Sequence, residues 1–107
     1  MNKEPVILHI ELGNQQLSKW LKQNRYIIYS ELIRYSEKLI KEKLDSIQAI
    51  MVSNVYDNIV FIIRKESLNL TLERAMDYFM SIEEYEKCAK IRDLVELINN
   101  EKTNSNI

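Results

Sequence analysis

The sequence predicts an α+β domain, in which a small antiparallel sheet packs on a long helix and is followed by a C-terminal αα-hairpin. Three patterns predict this class. Apolar residues alternate with other residues over positions 6–12, and two runs rich in β-branched residues occupy positions 47–52 and 59–63. Apolar residues at three- and four-residue spacing mark the remaining long segments as helices. The predicted order is strand, long helix, two strands, two helices.

The composition limits the fold and the function. The 107 residues fit a single domain, and one glycine and one proline leave room for only a few short loops. Fifteen basic residues against sixteen acidic ones argue against binding to nucleic acid through bulk charge. A single cysteine, Cys88, excludes an intramolecular disulfide, and a single histidine excludes a Cys/His zinc site. We therefore expect no metal and no cofactor.

The three predicted strands differ in pattern. Residues 6–12 alternate as in a half-buried strand, which Gly13 ends. Residues 47–52 and 59–63 flank a polar segment suited to a hairpin turn. The run 59–63 is apolar throughout, which predicts a central strand covered on both faces, or a strand with one face buried in an oligomer.

The segment 17–44 has helical periodicity, with a possible break near Asn24 that would give two helices. Glu37 and Lys41 form a favourable acid-then-base pair at i,i+4 spacing. The apolar stripe along this segment, which includes the possible break position, contains Leu17, Trp20, Leu21, Asn24, Ile28, Tyr35 and Leu39.

Two amphipathic segments follow with almost no linker and predict a tight helical hairpin. The first covers residues 68–80. Ser81 and Glu84 have the spacing of a capping box for the second helix, and Met80 and Tyr85 have the spacing of a hydrophobic staple. The predicted organisation is a core over residues 1–66, the hairpin over 67–98, and a polar, disordered tail over 99–107.

A spaced set of residues runs through this hairpin. A leucine is followed four residues later by a methionine, and then come an aromatic–Glu pair, two small residues, an aliphatic residue and Arg–Asp. These residues are Leu72, Met76, Tyr85-Glu86, Cys88-Ala89, Ile91 and Arg92-Asp93. The hairpin resembles the UVR motif, the helical hairpin of bacterial excision-repair proteins, Clp-type ATPases and activators of a bacterial protein-arginine kinase. The resemblance covers about a quarter of the chain.

The resemblance implies protein–protein docking, often of one hairpin with another, and does not imply repair activity. In that family two small residues usually follow the methionine, whereas this chain has Phe79 and Met80. Such a bulky pair would separate the helices or expose an apolar surface to a partner. Arg92 could span the hairpin toward Glu73 or Asp77. The expected partner-binding residues are Met76, Phe79, Met80, Tyr85, Glu86 and Arg92.

These patterns predict a non-enzymatic adaptor or assembly protein that docks through the hairpin. The sequence has no phosphate loop, triad or catalytic carboxylate pair in a recognisable setting. It also has neither a signal peptide nor a long apolar run, so we expect a cytoplasmic protein. A surplus of apolar residues favours a homo-oligomer or an obligate partner, and it includes Trp20, Ile27, Ile28, Phe61, Phe79 and Met80.

Two alternative functions remain. Basic residues interleaved with tyrosines on the long helix could contact nucleic acid, although the tyrosines could equally pack against the sheet. The basic residues are Lys22, Arg25, Arg34 and Lys38. The second alternative is a structural component of a larger assembly such as a virion. A composition rich in Ile, Asn and Lys is associated with AT-rich bacterial and phage genomes, which makes a bacterial or phage source plausible.

Isolated reactive groups have simpler interpretations. Cys88 lies in a small-residue helical setting without a nearby histidine, which predicts a buried packing residue rather than a reactive thiol. His9 has no nucleophile or second histidine to act with, so we expect it at the surface of a strand. The acidic residues around the second hairpin helix are explained by the helix dipole.

Overall fold

The computed structural model describes residues 8–105, and the side chains through residue 101. It confirms the α+β class, with a three-stranded sheet and a C-terminal helical hairpin. A short 3-10 turn, Lys65–Ser67, precedes the hairpin. The elements are β1 (Leu8–Glu11), α1 (Leu17–Gln23), α2 (Arg25–Lys41), β2 (Ser46–Ser53), β3 (Asn58–Arg64), α3 (Leu68–Ser81) and α4 (Tyr85–Ser105).

The sheet is mixed, in the order β1-β2-β3. Strands β2 and β3 form an antiparallel hairpin, but β1 lies parallel to β2, with Leu8 opposite Ile50 and Ile10 opposite Val52. The prediction of an entirely antiparallel sheet is therefore wrong for β1. The reason is the connection, because α1 and α2 form a crossover that returns the chain to the end of the sheet where β1 began. The predicted residues Val6 and Ile7 lie outside the described part of the chain.

The prediction that residues 59–63 form a central strand is wrong. β2 lies in the centre, and β3 is an outer strand. Ile63 is buried against the helices, whereas Ile59 and Ile62 are exposed. Part of the apolar run therefore packs in the core, and the other side chains remain accessible to solvent. Within this chain, β3 is covered on one face.

The long helical segment is divided at Asn24, as the sequence suggested. The Asn24 side-chain amide donates a hydrogen bond to the Trp20 carbonyl oxygen at 2.8 Å. Its backbone has φ −124° and ψ 32°, outside the helical region, so α1 ends and α2 begins there. Helix α2 contacts β2, β3 and both helices of the hairpin. Its buried residues are Ile28, Leu32, Ile33, Tyr35, Ser36, Leu39 and Ile40.

One hydrophobic cluster joins the sheet to the hairpin. Ile50 of β2, Leu39 of α2 and Phe79 of α3 are all fully buried in it, together with Ile91 of α4. The hairpin therefore packs across α2 and shares the core of the preceding elements. Burial of this kind contributes about 1.5–3 kcal/mol for each large side chain.

The boundaries of α4 differ from the prediction at both ends. Ser81 is the last residue of α3, and its hydroxyl donates to the Tyr78 carbonyl oxygen at 2.6 Å. Because α4 begins at Tyr85, Ser81 is not its N-cap, and the predicted capping box and staple are wrong. The helix also continues past Ile98, where a disordered tail was expected, as far as Ser105. In the described part of the chain, no helix is long and apolar enough to cross a membrane.

Candidate protein-binding site

The turn between α3 and α4 uses only residues 82–84 and closes α3 with a Schellman motif. Glu83 has a left-handed backbone with φ 59°. The Glu83 N–H donates to the Met80 carbonyl oxygen at 3.1 Å, and the Glu84 N–H donates to the Phe79 carbonyl oxygen at 2.9 Å. Both hydrogen bonds satisfy carbonyl groups at the end of α3, so the turn has a defined conformation.

The buried side chain of Phe79 supports the turn. Its side chain is fully buried and makes edge contacts with three tyrosine rings, at centroid distances of 5.7 Å to Tyr26, 6.4 Å to Tyr29 and 5.0 Å to Tyr78. Tyr29 and Tyr78 stack on each other at 5.0 Å. Edge and offset-stacked contacts of this type each contribute about 0.5–1.5 kcal/mol beyond area burial.

Tyr26 at the start of α2 ties this cluster to the turn. Its hydroxyl donates a hydrogen bond to Glu84 Oε1 at 2.9 Å. This hydrogen bond, with smaller effects from burial and from the Glu84 charge, raises the pKa of the Tyr26 phenol above its usual value of 10.0. The Lys87 ammonium lies 5.5 Å from the Tyr26 ring centroid and 5.8 Å from that of Phe79. The hairpin turn is therefore held against α2 by polar and aromatic contacts together.

Four large apolar side chains around this turn remain exposed. Tyr26 is 43% exposed, Met80 51%, Ile82 41% and Tyr85 60%. We call these four residues the hairpin tip. Single exposed apolar residues are ordinary on protein surfaces, but several around one short turn mark a candidate interaction surface.

The predicted partner-binding residues divide into four groups. Met80, Tyr85 and Glu86 lie together at or beside the turn, and all three are exposed. Met76 is half-buried and lines a groove of about 430 Å³ between α3 and α4. Phe79 has no exposed surface, so it cannot contact a partner and the expectation for this residue is wrong.

Arg92 lies farther along α4 and is exposed. Among residues 8–101, it forms no ion pair with Glu73 or Asp77, so the predicted bridge across the hairpin is absent. Among the residues described at side-chain level, the ion pair that joins α4 to the rest of the domain lies elsewhere, between Lys90 and Glu37. Glu37 of α2 accepts from Lys90 at 2.8 Å and from Lys41 at 2.9 Å. These two hydrogen bonds lower the pKa of the Glu37 carboxyl below its usual value.

The four basic residues considered for nucleic-acid binding do not form one uniform surface. Arg34 pairs with Glu31 at 3.2 Å, and Lys38 pairs with Glu42 at 2.7 Å. Lys22 and Arg25 instead line a groove between α1–α2, β3 and α3. The basic stripe seen in the sequence is therefore divided by acidic neighbours on α2.

The two isolated reactive groups lie where the sequence placed them. Cys88 is buried in the core, as expected for a packing cysteine. His9 is exposed on β1, and its Nε2 is hydrogen-bonded to Ser53 Oγ at 3.0 Å.

Sequence reasoning did not assign Tyr26 or Ile82 to the site. Tyr26 lies far from the hairpin in sequence and joins it only through the packing of α2, so no local pattern could have indicated it. Ile82 was expected at the start of the second hairpin helix, after a cap at Ser81, whereas the structure places it in the turn. No family model matches the chain, and neither a curated protein nor a solved structure matches it.

Proposed function

We propose that this chain is a non-enzymatic adaptor or assembly protein that docks onto another protein through the hairpin tip. The observation that carries the proposal is the exposure of Tyr26, Met80, Ile82 and Tyr85 around a single three-residue turn. Tyrosine and methionine are enriched in protein interfaces, where large side chains at the centre supply most of the binding energy.

The construction of the turn supports this function. Phe79 packs against three tyrosine rings, and the Tyr26–Glu84 hydrogen bond holds the turn against α2. A surface that is already ordered loses less conformational entropy when a partner binds. The hairpin tip therefore combines exposed apolar area with a backbone whose conformation is set before binding.

The partner we propose is a second helical hairpin, including that of another copy of this chain. The resemblance to the UVR motif supports this choice, since hairpin-to-hairpin docking is typical of that family. A homo-oligomer would cover the exposed apolar side chains of both copies. We further propose a cytoplasmic location, because the one cysteine is buried and unpaired, which fits a reducing compartment.

Light scattering coupled to size exclusion tests the proposal on the full chain over a range of concentrations. We expect a discrete oligomer for the unmodified protein and a monomer for the double variant Met80→Ser, Tyr85→Ser. Both side chains are more than half exposed, so the fold should survive, and the thermal midpoint checks this. Val55→Ser in the β2–β3 turn is the matched control, since Val55 is equally exposed but distant in the sequence.

An oligomer that persists in the double variant would contradict docking through the hairpin tip. A protein that is monomeric at every concentration would contradict self-association. In that case each variant is used to capture proteins from host extract. The double variant should retain fewer proteins than the Val55→Ser control. Equal capture by both variants would exclude the tip as the docking surface.

A further inference from the structure

A second surface, separate from the hairpin tip, lies along β3. It is a groove of about 690 Å³ bordered by α1 and α2 on one side, α3 on the other, and β3 between them. Its floor is apolar, with Leu21, Ile28, Phe61 and Leu70 among the lining residues. Grooves of this size and character accommodate side chains of a ligand or peptide.

The backbone of β3 is accessible at this groove. β3 is an outer strand of the sheet, so the peptide groups on its side away from β2 have no strand partner within residues 8–105. Ile59 and Ile62 point to opposite faces of β3, yet both line the groove and both are exposed, so the groove extends around this outer strand. An open strand edge is a template for pairing with another extended chain.

The charged residues of the groove are all positive. Lys22, Arg25 and Arg74 line it, and no aspartate or glutamate does. None of the three forms an ion pair with an acidic residue in the part of the chain described at side-chain level. On the same α2 helix, by contrast, Arg34 and Lys38 are both paired with glutamates. The lining of the groove therefore carries three positive charges and no negative one, and it complements a carboxylate-bearing partner.

We propose that this groove binds an acidic peptide segment in extended conformation, which adds a fourth strand to the sheet along β3. The peptide backbone pairs with the β3 edge, and alternate apolar side chains enter the floor. Carboxylates of the segment meet Lys22, Arg25 and Arg74. This is the β-augmentation mode of recognition, with the cations selecting for acidic sequences.

The groove fits a peptide better than single-stranded nucleic acid. Base stacking needs free aromatic faces, and of the two rings that line the groove, Tyr29 already stacks on Tyr78. The remaining floor is largely aliphatic. Pairing with a strand edge also requires the alternating donors and acceptors of a polypeptide backbone, which a nucleic acid lacks.

The first experiment is an NMR titration of the full chain, labelled with ¹⁵N, with three capped peptides. Each has seven residues, the length of β3. The first alternates valine and glutamate, the second has lysine in place of glutamate, and the third has proline in place of valine. We expect the first to shift the amide signals of β3, and the other two to bind at least about tenfold more weakly, because they lack the charge complement or the backbone donors.

The second experiment tests the cations. The double variant Lys22→Glu, Arg74→Glu should weaken binding of the valine–glutamate peptide by about tenfold. The matched control, Lys19→Glu, Lys43→Glu, makes the same charge change at exposed residues that do not line the groove and should bind as the unmodified protein does. The dispersion of the amide spectrum shows that each variant is folded.

Several results would overturn the proposal. These are equal affinity for the acidic and basic peptides, undiminished binding of the proline peptide, shifts confined to residues outside the groove, and the absence of any shift at millimolar peptide. An oligonucleotide that shifts the β3 amides when the acidic peptide does not would also overturn it. These results do not involve Met80 or Tyr85, so they can be separated from failure of the hairpin-tip proposal.

Discussion

The Tyr26 hydroxyl donates a hydrogen bond to the Glu84 carboxylate at 2.9 Å, which joins the start of α2 to the hairpin turn across 58 residues of sequence. Because the hydrogen bond favours the protonated phenol, the pKa of Tyr26 is raised above 10.0. A raised folded-state pKa stabilises the fold below the unfolded pKa, and this contribution is lost as pH rises through the folded pKa. The hydrogen bond should therefore weaken in strongly alkaline solution, where the phenol loses its proton.

Replacing Glu84 by Gln tests this relationship. The amide removes the negative charge and weakens acceptance from the phenol, so the pKa of Tyr26 should move back toward 10.0. The measurement is NMR titration of the Tyr26 ring carbon that bears the hydroxyl. Glu83→Gln in the same turn is the control and should leave the Tyr26 pKa as it is in the unmodified protein. An unchanged pKa in Glu84→Gln would show that the hydrogen bond is not made in solution.

Helices α2 and α3 both end in Schellman motifs without glycine. At the end of α2, Lys43 has φ 56°, and its N–H and that of Leu44 donate to the carbonyl oxygens of Ile40 and Leu39. Glu83 has the same role after α3. Left-handed backbone costs a residue with a side chain about 1 kcal/mol, a cost that glycine avoids.

We therefore predict that Lys43→Gly and Glu83→Gly each stabilise the protein by about 0.5–1 kcal/mol, although glycine is usually destabilising. Urea denaturation of each variant measures the free energy of unfolding. Glu86→Gly, inside the first turn of α4, is the control and should destabilise by about 1 kcal/mol. A loss of stability in the first two variants comparable to that of the control would contradict the left-handed assignment.

These turns also explain why the sequence predicted some boundaries well and others poorly. Asn24 carries a side chain able to bond the preceding turn, so the break between α1 and α2 could be predicted. Glu83 in the α3–α4 turn has a left-handed backbone. In a sequence, glycine indicates such a conformation, whereas glutamate does not. With that signal missing, the Ser81–Glu84 spacing suggested a capping box in the wrong place.

Local sequence patterns could not predict how elements distant in the sequence pack together. Alternation in residues 6–12 indicates a strand but not its direction, so the parallel pairing of β1 was not predictable. The continuous apolar run in β3 indicates burial on at least one face, and only tertiary packing decides whether a second strand or solvent lies beside it. The basic groove was missed for the same reason, since Lys22, Arg25 and Arg74 come from three helices.

The Glu37 carboxylate, held between Lys90 of α4 and Lys41 of α2, predicts a pH dependence of stability. Its folded-state pKa is lowered from the usual 4.5, chiefly by the hydrogen bonds from Lys90 and Lys41. A lowered pKa stabilises the fold above the unfolded value, and the contribution is lost as pH falls through the folded pKa. Glu37→Gln should therefore cost about 0.5–1 kcal/mol at neutral pH, a range set by the partial exposure of the pair.

The measurement is urea denaturation of the unmodified protein and Glu37→Gln from neutral pH to below 4.5. The difference in unfolding free energy should close as the pH falls below 4.5. Glu73→Gln, an exposed residue of α3 outside these ion pairs, should match the unmodified protein throughout. A difference that persists in acid would mean that Glu37 acts through packing rather than through its charge.

Phe79 and Met80 are neighbours in sequence with opposite environments, and this contrast separates stability from binding. Phe79 is fully buried among three tyrosine rings, whereas Met80 is 51% exposed. Phe79→Ala should lower the free energy of unfolding by about 3–5 kcal/mol, because it leaves a cavity beneath the hairpin turn. Met80→Ala should change it by less than about 0.5 kcal/mol and should act only on oligomer formation or partner binding.

Urea denaturation and light scattering on both variants measure the two effects separately. Phe79→Leu keeps most of the side-chain volume and is the intermediate case, with a smaller loss of stability than Phe79→Ala. If Met80→Ala destabilised the fold as strongly as Phe79→Ala, Met80 would belong to the core and the hairpin tip would lose a central member. If Phe79→Leu kept full stability but abolished association, the aromatic contacts under the turn would be needed for binding rather than for folding.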